Sequence, residues 1–252
     1  MTKTDKNPFL WDIPVALVLL TRLPLPALPK DAFTNQARAV WAFGLVGLVV
    51  GAIAATVGWL AINAGLSVMA ATGLVLLAQI VTTGAMHEDG LADTADGLWG
   101  GVTPARRLEI MGDSRIGTYG VLALILSLGL RWVALSAVLE VGMEVVIAVA
   151  VLSRAFMPLV MSALPFARAD GLSRAVGRPD WRLSGTAALV MVVLAGAAFG
   201  SSAIIPIGLA CLAVALLAAL ANAKIGGQTG DILGASQQVA EIALLLGFAA
   251  LA

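Results

Sequence analysis

The sequence predicts an all-α integral membrane protein: a polytopic bundle of about seven transmembrane helices, preceded by a short N-terminal helix that is interfacial or re-entrant. Two observations carry this prediction. Hydrophobic residues make up 60% and charged residues only 12% of the 252 residues, which is more apolar surface than one soluble core of this size can bury. The apolar residues also come in blocks of roughly 20 without strand-like alternation, the length that a helix needs to cross a bilayer.

The apolar blocks set the predicted topology. A first short run, Phe9 to Leu20, contains Asp12 and Pro14 and suits an interfacial or re-entrant helix better than a span. Very short turns join three pairs of the blocks that follow, so each pair is predicted to form a helical hairpin. There is no evident linker, so residues 1–252 are predicted to form a single membrane domain. The spans are predicted at about 40–62, 66–85, 117–139, 142–163, 186–203, 205–222 and 237–252.

The positive charges predict the orientation. Of the fifteen Lys and Arg residues, thirteen lie in the N-terminal tail or in long loops that this topology places on one side. The positive-inside rule predicts that this side is cytoplasmic, in a multi-pass protein of the bacterial inner membrane. The other two, Arg131 and Arg154, lie inside predicted spans, where each should face a polar interior or pair with an acid such as Glu241. The formal net charge is zero, so nucleic acid is not an expected partner.

An acidic segment directly after the second predicted span carries the strongest indication of chemistry. Asp89, Asp93 and Asp96 are spaced by four and three residues, so on a helix their carboxylates project from one face. Three neighbouring anions repel one another, and hard oxygen ligands without a cysteine or histidine cluster favour Mg²⁺ as the compensating cation. The alternative is a solvated helix start whose acids complement the helix dipole. We favour the metal site because glycines and a basic cluster accompany the acids.

A basic segment follows the acids. Arginine side chains bind phosphate oxygens in a bidentate way, and a further carboxylate, Asp113, lies among the arginines. Gly117 and Gly120 open the next span and would let a ligand or a neighbouring helix approach the backbone closely. The alternative is that the arginines only mark topology beside anionic lipid. The candidates for binding phosphate are Arg106, Arg107 and Arg115.

Two further candidates are a glycine-rich loop and the only histidine. The loop at 226–235 can present backbone N–H groups to a phosphate, with Thr229 and Asp231 as candidate substrate-binding residues, although such loops are often only tight turns. It lacks the Walker pattern, so ATP hydrolysis is not predicted. His87 could act as a base for an attacking hydroxyl or serve as a structural hydrogen-bond partner. The arginines of the loop at 164–185 could hold the nucleotide or the corrinoid, but we favour their interpretation as topology signals. They are Arg168, Arg174, Arg178 and Arg182.

Three motifs, in this order along the chain, resemble those of the cobalamin synthase family, the adenosylcobinamide-GDP ribazoletransferases. They cover nearly the whole chain, and the early Thr21-Arg22-Leu23-Pro24 is similar to that family as well. Glu88 stands at a position that the first motif leaves open. The motifs are His87-x-Asp89-Gly90-x-x-Asp93-x-x-Asp96-Gly97, Met111-x-Asp113-Ser114-Arg115-x-Gly117-x-x-Gly120 and Gly227-x-Thr229-Gly230-Asp231-x-x-Gly234-Ala235.

The resemblance implies a Mg²⁺-dependent transferase of nucleotide-loop assembly in cobalamin biosynthesis. Such an enzyme transfers adenosylcobinamide phosphate from adenosylcobinamide-GDP to α-ribazole or its 5′-phosphate, giving adenosylcobalamin or its 5′-phosphate and GMP. Membrane lipid surrounds it, and a homo-oligomer or an association with other cobalamin-assembly enzymes is compatible with it. The corresponding hypothesis assigns Mg²⁺ to Asp89, Asp93 and Asp96, the diphosphate to Arg115 with Arg106 or Arg107, and the ribazole hydroxyl to Asp113 or His87.

Two other classes of protein fit parts of the pattern. A phospholipid-type alcohol phosphotransferase also uses an aspartate array that opens with Asp-Gly, but it usually has an Ala-Arg pair soon afterwards and two further aspartates four residues apart. This chain has neither. A transporter or channel would use its intramembrane charges to line a pathway, whereas the acids of this chain cluster in one loop. Release of GMP from the two substrates would separate these classes.

Overall fold

The computed structural model describes residues 8–252, and the N-terminal tail that was counted on the positively charged side lies outside them. The described residues form an all-α bundle, as predicted. Its helices are, in chain order, α1 (Asp12–Leu20), α2 (Phe43–Asn63), α3 (Val68–Thr83), α4 (Met86–Gly100), α5 (Pro104–Met111), α6 (Thr118–Val141), α7 (Met143–Ala155), α8 (Met157–Ala163), α9 (Leu172–Val176), α10 (Trp181–Phe199), α11 (Ile204–Ile225) and α12 (Gly230–Ala249).

The number of membrane crossings agrees with the sequence. Five segments of the described chain are long and apolar enough to cross, and the bent pair α3–α4 raises the number to six. One of the five, Trp181–Ile225, has 45 residues, about twice the length that one crossing needs at 1.5 Å per residue. It consists of α10 and α11, joined by the 3₁₀ turn Gly200–Ala203. Counted as two crossings, it brings the total to the predicted seven.

Contacts at the ends of the helices show that α10 and α11 form a hairpin. The rings of Phe199, which ends α10, and Phe248, near the end of α12, lie 5.3 Å apart. Pro206, in the first turn of α11, packs against Gly247 in the same part of α12. The chain therefore crosses along α10, turns beside the end of α12 and returns along α11.

The last span begins earlier than predicted. The sequence places its start at 237, because the polar residues before that point interrupt the apolar block, whereas α12 begins at Gly230. The hydroxyl of Thr229 accepts a hydrogen bond from the backbone N–H of Ile232 and so caps the helix. The polar side chains of Ser236, Gln237 and Gln238 are buried in the bundle instead of lying in a loop.

Helix α12 lies at the centre of the bundle, where it packs against α4, α6, α7 and α11. Most of α12 and of the α7–α8 segment is buried, whereas most of α6, α10 and α11 is exposed. Because the exposed side chains of those three helices are mainly large and apolar, they form the surface that faces lipid. The first helix, α1, is too short to span and packs against α2, as an interfacial or re-entrant helix would.

The intramembrane charges lie inside the bundle, and three of them form ion pairs. Arg131 on α6 lies 2.8 Å from Glu88 on α4 and 2.9 Å from Glu241 on α12, and all three side chains are buried. The predicted pairing of Arg131 with Glu241 is therefore confirmed. Arg154 on α7 is also buried and donates a hydrogen bond to the backbone carbonyl of Ala150. The two ion pairs of Arg131 tie α6 to α4 and α12.

A sharp bend between α3 and α4 sets the position of the first motif. The two helix axes differ by 87°. Gly84 and Ala85 form the bend with φ of 66° and 58°, in the left-handed region that a residue with a Cβ atom adopts at a cost. The side chain of Arg22, from the early Thr-Arg-Leu-Pro segment, packs against Gly84. The second predicted span thus ends at Thr83, and the aspartates that follow it lie on a separate helix.

Candidate active site

The structure brings the first and third motifs into direct contact. A Cβ atom on Gly90 of α4 would lie 2.9 Å from the backbone oxygen of Asp231, so no larger residue fits there without a shift. Gly234 of α12 approaches α4 in the same way. Because both helices carry glycine at the crossing, their backbones lie close together and the acids of α4 come near Asp231.

Two adjoining cavities open beside this crossing, and Asp89 lines both. The first, which we call the apolar cavity, has a volume of about 210 Å³ and is lined mainly by hydrophobic side chains, with His87, Arg168 and Asp231 among its polar ones. The second, which we call the acidic cavity, has a volume of about 460 Å³. Its acidic lining residues are Glu88, Asp89, Asp93 and Asp113.

Two of the three predicted metal ligands share the acidic cavity. Asp89 is exposed and Asp93 half-buried, one helical turn apart on α4. The carboxylate of Asp93 experiences electrostatic repulsion from those of Asp89, Asp96 and Asp231. This concentration of negative charge at the mouth of a cavity favours a bound cation.

Asp96, the third predicted metal ligand, binds backbone N–H groups instead of facing the acidic cavity. Its buried carboxylate accepts hydrogen bonds from the backbone N–H groups of Gly117, at 2.6 Å, and Gly120, at 2.9 Å. It therefore caps the start of α6, where an anion complements the helix dipole. The predicted close approach at Gly117 and Gly120 is confirmed, and the group that approaches is the side chain of Asp96.

Replacement of Gly120 by alanine is expected to destabilise the protein by about 1–3 kcal/mol, because the new methyl group would overlap the carboxylate of Asp96 and displace it from the helix start. Thermal unfolding in detergent would measure the loss. Gly129→Ala is the matched control, since it lies on the same helix with nothing within 4 Å of the added atom. Equal melting temperatures for the two variants would contradict this account of Asp96.

Arg168 lies in the site, although the interpretation favoured from the sequence was that its loop only marks topology. Its guanidinium donates a hydrogen bond to the carboxylate of Asp231, and both residues line the apolar cavity. Backbone hydrogen bonds place it there, from the N–H of Ala167 to the carbonyl of Gln228 and from the N–H of Gln228 to the carbonyl of Pro165. No local pattern around Arg168 reveals this pairing, because its partner is 63 residues away.

The three candidate arginines of the basic segment, Arg106, Arg107 and Arg115, are placed differently from one another. Arg107 binds the backbone carbonyls of Gly101 and Lys224, so it joins α5 to the end of α11. Arg106 pairs with Glu109 on the exposed face of α5. Arg115 is also exposed, and its guanidinium donates hydrogen bonds to both carboxylate oxygens of Asp113. None of these three arginines lines either cavity in the described structure, so contact with a phosphate stays a prediction for them.

The remaining predicted site residues are Thr229, Asp113 and His87, and their surroundings differ. The Thr229 hydroxyl caps α12 and also hydrogen-bonds to the Asp231 carboxylate at 3.1 Å. The hydrogen bonds from Arg115 lower the pKa of Asp113 to about 2, so Asp113 stays ionised and is a weak base.

His87 lines the apolar cavity, and its Nε2 atom has no hydrogen-bond partner among the described residues. Burial, together with the charges of Arg154 and Arg131, lowers the pKa of His87 well below its usual value of 6.5, so its imidazole is neutral. His87 therefore remains a candidate for a base through its position and its free nitrogen.

The donor set suits Mg²⁺ only together with a substrate. Among residues 8–252 no group of three or more His, Cys, Asp or Glu side chains is arranged to hold a metal ion. Mg²⁺ is commonly held by one or two carboxylates together with substrate phosphates and water. Asp89 and Asp93 provide such a pair of hard oxygen donors in an open cavity that leaves room for a phosphate.

The fold and the site define a polytopic helical membrane protein with an acid-lined, ligand-sized cavity at one end of the bundle. Comparison of the sequence with known families identifies it further. The profile of cobalamin-5-phosphate synthase matches residues 12–249, and the chain belongs to that family. The nucleotide-loop chemistry expected from the motifs is therefore confirmed at the level of the family.

Curated relatives agree with this assignment over nearly their full length. A protein of Bradyrhizobium diazoefficiens is 46% identical, with 99% of this chain and 96% of the relative covered. A protein of Xanthobacter autotrophicus is also 46% identical, with 94% of each covered, and one of Azorhizobium caulinodans is 43% identical, with 94% and 95% covered. All three are named adenosylcobinamide-GDP ribazoletransferase. No solved structure matches the chain significantly.

Proposed function

We propose that this protein transfers adenosylcobinamide phosphate from adenosylcobinamide-GDP to a ribose hydroxyl of α-ribazole or its 5′-phosphate and releases GMP. The hydroxyl oxygen forms the new bond to the phosphorus that carries the cobinamide, the bond from that phosphorus to GMP breaks, and the hydroxyl proton is lost to a base. The observation that supports this most directly is that Asp89 and Asp93 both line the acidic cavity, which adjoins the apolar cavity that His87 lines. Membership of the family supports the choice of substrates.

We further propose that Asp89 and Asp93 hold Mg²⁺, which when bound would neutralise charge on the diphosphate. Asp89 also borders the apolar cavity, so it lies where the two substrates meet. Asp96, which was predicted as a third ligand, keeps α6 and the loop before it in place through its two backbone hydrogen bonds. The acidic cavity would then hold the diphosphate of adenosylcobinamide-GDP.

The hydroxyl of α-ribazole needs an acceptor for its proton, and we assign this role to His87. The unpaired Nε2 atom can accept a proton, and the residue lies two positions before Asp89 on α4. Asp113, the other predicted candidate, lines the acidic cavity as a charged residue and is not assigned the role of base. Arg168 can exchange its bond with Asp231 for a phosphate oxygen, as Arg115 can exchange its bond with Asp113.

The motif side of the bundle is proposed to face the cytoplasm of a bacterial inner membrane. Helix α4, which carries the acids, and the loops before Gln36, after Ala163 and before α12 lie at one end of the bundle, where backbone hydrogen bonds join Arg22 to Thr82 and Gln228 to Pro165. The short turn between α10 and α11 lies beside the other end of α12. This is the distribution that the positive-inside rule associates with the cytoplasmic face. Nucleotide substrates would reach the site from that side.

The purified protein in detergent or liposomes is expected to release GMP when given adenosylcobinamide-GDP, α-ribazole and Mg²⁺, and to stop when Mg²⁺ is chelated. Chromatography of GMP and of the corrinoid product would measure both. Readdition of Mg²⁺ should restore the rate, because chelation leaves the protein fold intact. Turnover that persists in excess chelator would contradict the role of the metal, and absence of turnover under all conditions would contradict the function.

A further inference from the structure

We infer that the apolar cavity binds the dimethylbenzimidazole base of α-ribazole and so selects the lower base of the product. The inference rests on the proposed function and assigns one part of one substrate to one cavity. It starts from the lining of the cavity, where hydrophobic side chains from several helices surround the volume. They are Leu19, Leu20, Phe43, Met86, Met157, Met161, Leu172, Val176 and Leu233.

The polar groups of the cavity are few and mostly engaged. Ser173 hydrogen-bonds to the side chain of Gln228, and Arg168 hydrogen-bonds to Asp231. His87 and Asp89, the polar residues that remain, are neighbours on α4. A ligand therefore meets a hydrophobic wall over most of its surface and polar groups only near the motifs.

The substrates contain three ring systems, and the size and polarity of each ring decide which one can occupy the apolar cavity. The corrin macrocycle is much larger than a cavity of about 210 Å³. Guanine fits by size, but its edge carries several hydrogen-bonding groups that this lining would leave unpaired, at a cost in affinity. Dimethylbenzimidazole carries two methyl groups and one unsubstituted ring nitrogen, and it is the ring system that matches a hydrophobic wall.

The position of the cavity fits the same substrate. Asp89 lines both cavities, so a nucleoside with its base among the methionines and leucines carries its ribose toward the acids. His87 lines the apolar cavity as well, at the side nearest the acids of α4. The base, the ribose and the phosphate can then lie in one continuous path from the hydrophobic interior to the acidic cavity.

The test compares α-ribazole with the riboside of unsubstituted benzimidazole in steady-state assays of the full-length protein. For the wild type, loss of the two methyl groups is expected to raise KM about tenfold, since each buried methyl group contributes a few-fold to binding. In Val176→Phe, the added ring should raise the KM for α-ribazole about tenfold and that for the smaller riboside much less. The KM for adenosylcobinamide-GDP should not change in this variant.

Val190→Phe, the same change on the exposed face of α10, is the control. It should leave the KM values for α-ribazole, for the unsubstituted riboside and for adenosylcobinamide-GDP unchanged. Met161→Ala enlarges the cavity and tests the inference independently if Val176→Phe does not fold; it should reduce the preference for the methylated base. Equal KM values for the two ribosides in the wild type, or an effect of the variants on adenosylcobinamide-GDP alone, would overturn the inference. If the wild type turns over normally, these two results contradict only the assignment of the apolar cavity and not the proposed function. Absence of turnover in the wild type would contradict the proposed function itself.

Discussion

Asp89→Asn is expected to lower kcat on the order of a thousandfold, because a bound metal ion stabilises the transition state of phosphoryl transfer by several kcal/mol and an amide is a poor ligand for it. Substitution of Asp89 should lower kcat more than substitution of the other acids, since Asp89 lines both cavities and is exposed to an incoming ligand. GMP release at saturating substrate measures the change. The fold should be unaffected, as an exposed carboxylate contributes little to stability.

The control for this variant is Asp170→Asn, which makes the same chemical change at an exposed position that lines neither cavity. It should retain the wild-type rate. A raised Mg²⁺ concentration should recover part of the activity of Asp93→Asn, which keeps one carboxylate of the pair. An Asp89→Asn protein that turned over at the wild-type rate would exclude the proposed metal site.

Arg131→Gln is expected to destabilise the protein by about 3–5 kcal/mol, because it leaves the buried carboxylates of Glu88 and Glu241 without their cation. Burial decides the size of this effect, since an exposed ion pair is worth at most about 1 kcal/mol. Unfolding in mixed micelles would measure the loss. Arg182→Gln, at an exposed arginine next to Trp181, should change stability very little.

A second substitution separates loss of charge balance from loss of packing. Arg131→Gln combined with Glu241→Gln removes one positive and one negative charge, so the double variant should be more stable than Arg131→Gln alone. A double variant with the summed losses of the two single variants would show that packing, and not the ion pair, dominates. Because Glu88 precedes Asp89, a shift of α4 in Arg131→Gln should also raise the KM for substrate.

Membrane architecture could be predicted from local composition, whereas the arrangement of the site could not. The spans at 40–62 and 117–139 are close to the observed helices, because about 20 consecutive apolar residues have one stable arrangement in lipid. The start of α12 was misplaced, since a run of buried glutamines looks like a loop when its partners are unknown. The 87° bend at Gly84 was missed as well, and the side chain that packs against Gly84 belongs to Arg22, which is far away in the sequence.

At the site too, local sequence predicted which side chains lie on one helix but not which groups they contact. The spacing of Asp89, Asp93 and Asp96 correctly placed them on one helix, but spacing does not reveal that the N–H groups at the start of α6 bind Asp96. Arg168 was grouped with the topology arginines because its bond to Asp231 joins segments far apart in the chain. Such pairings depend on distances between helices, which a single sequence does not contain.

The sequence by itself determined the lipid environment, the all-helical fold class, the residue types at the site and, through its motifs, the family. These follow from hydrophobicity and from the order of residues along the chain, which are local properties. Only the tertiary structure decided which acids face a cavity, which arginine joins them and where a hydrophobic ring can bind. The physical reason is that close helix crossings, such as the one at Gly90 and Gly234, bring together side chains that are far apart in sequence.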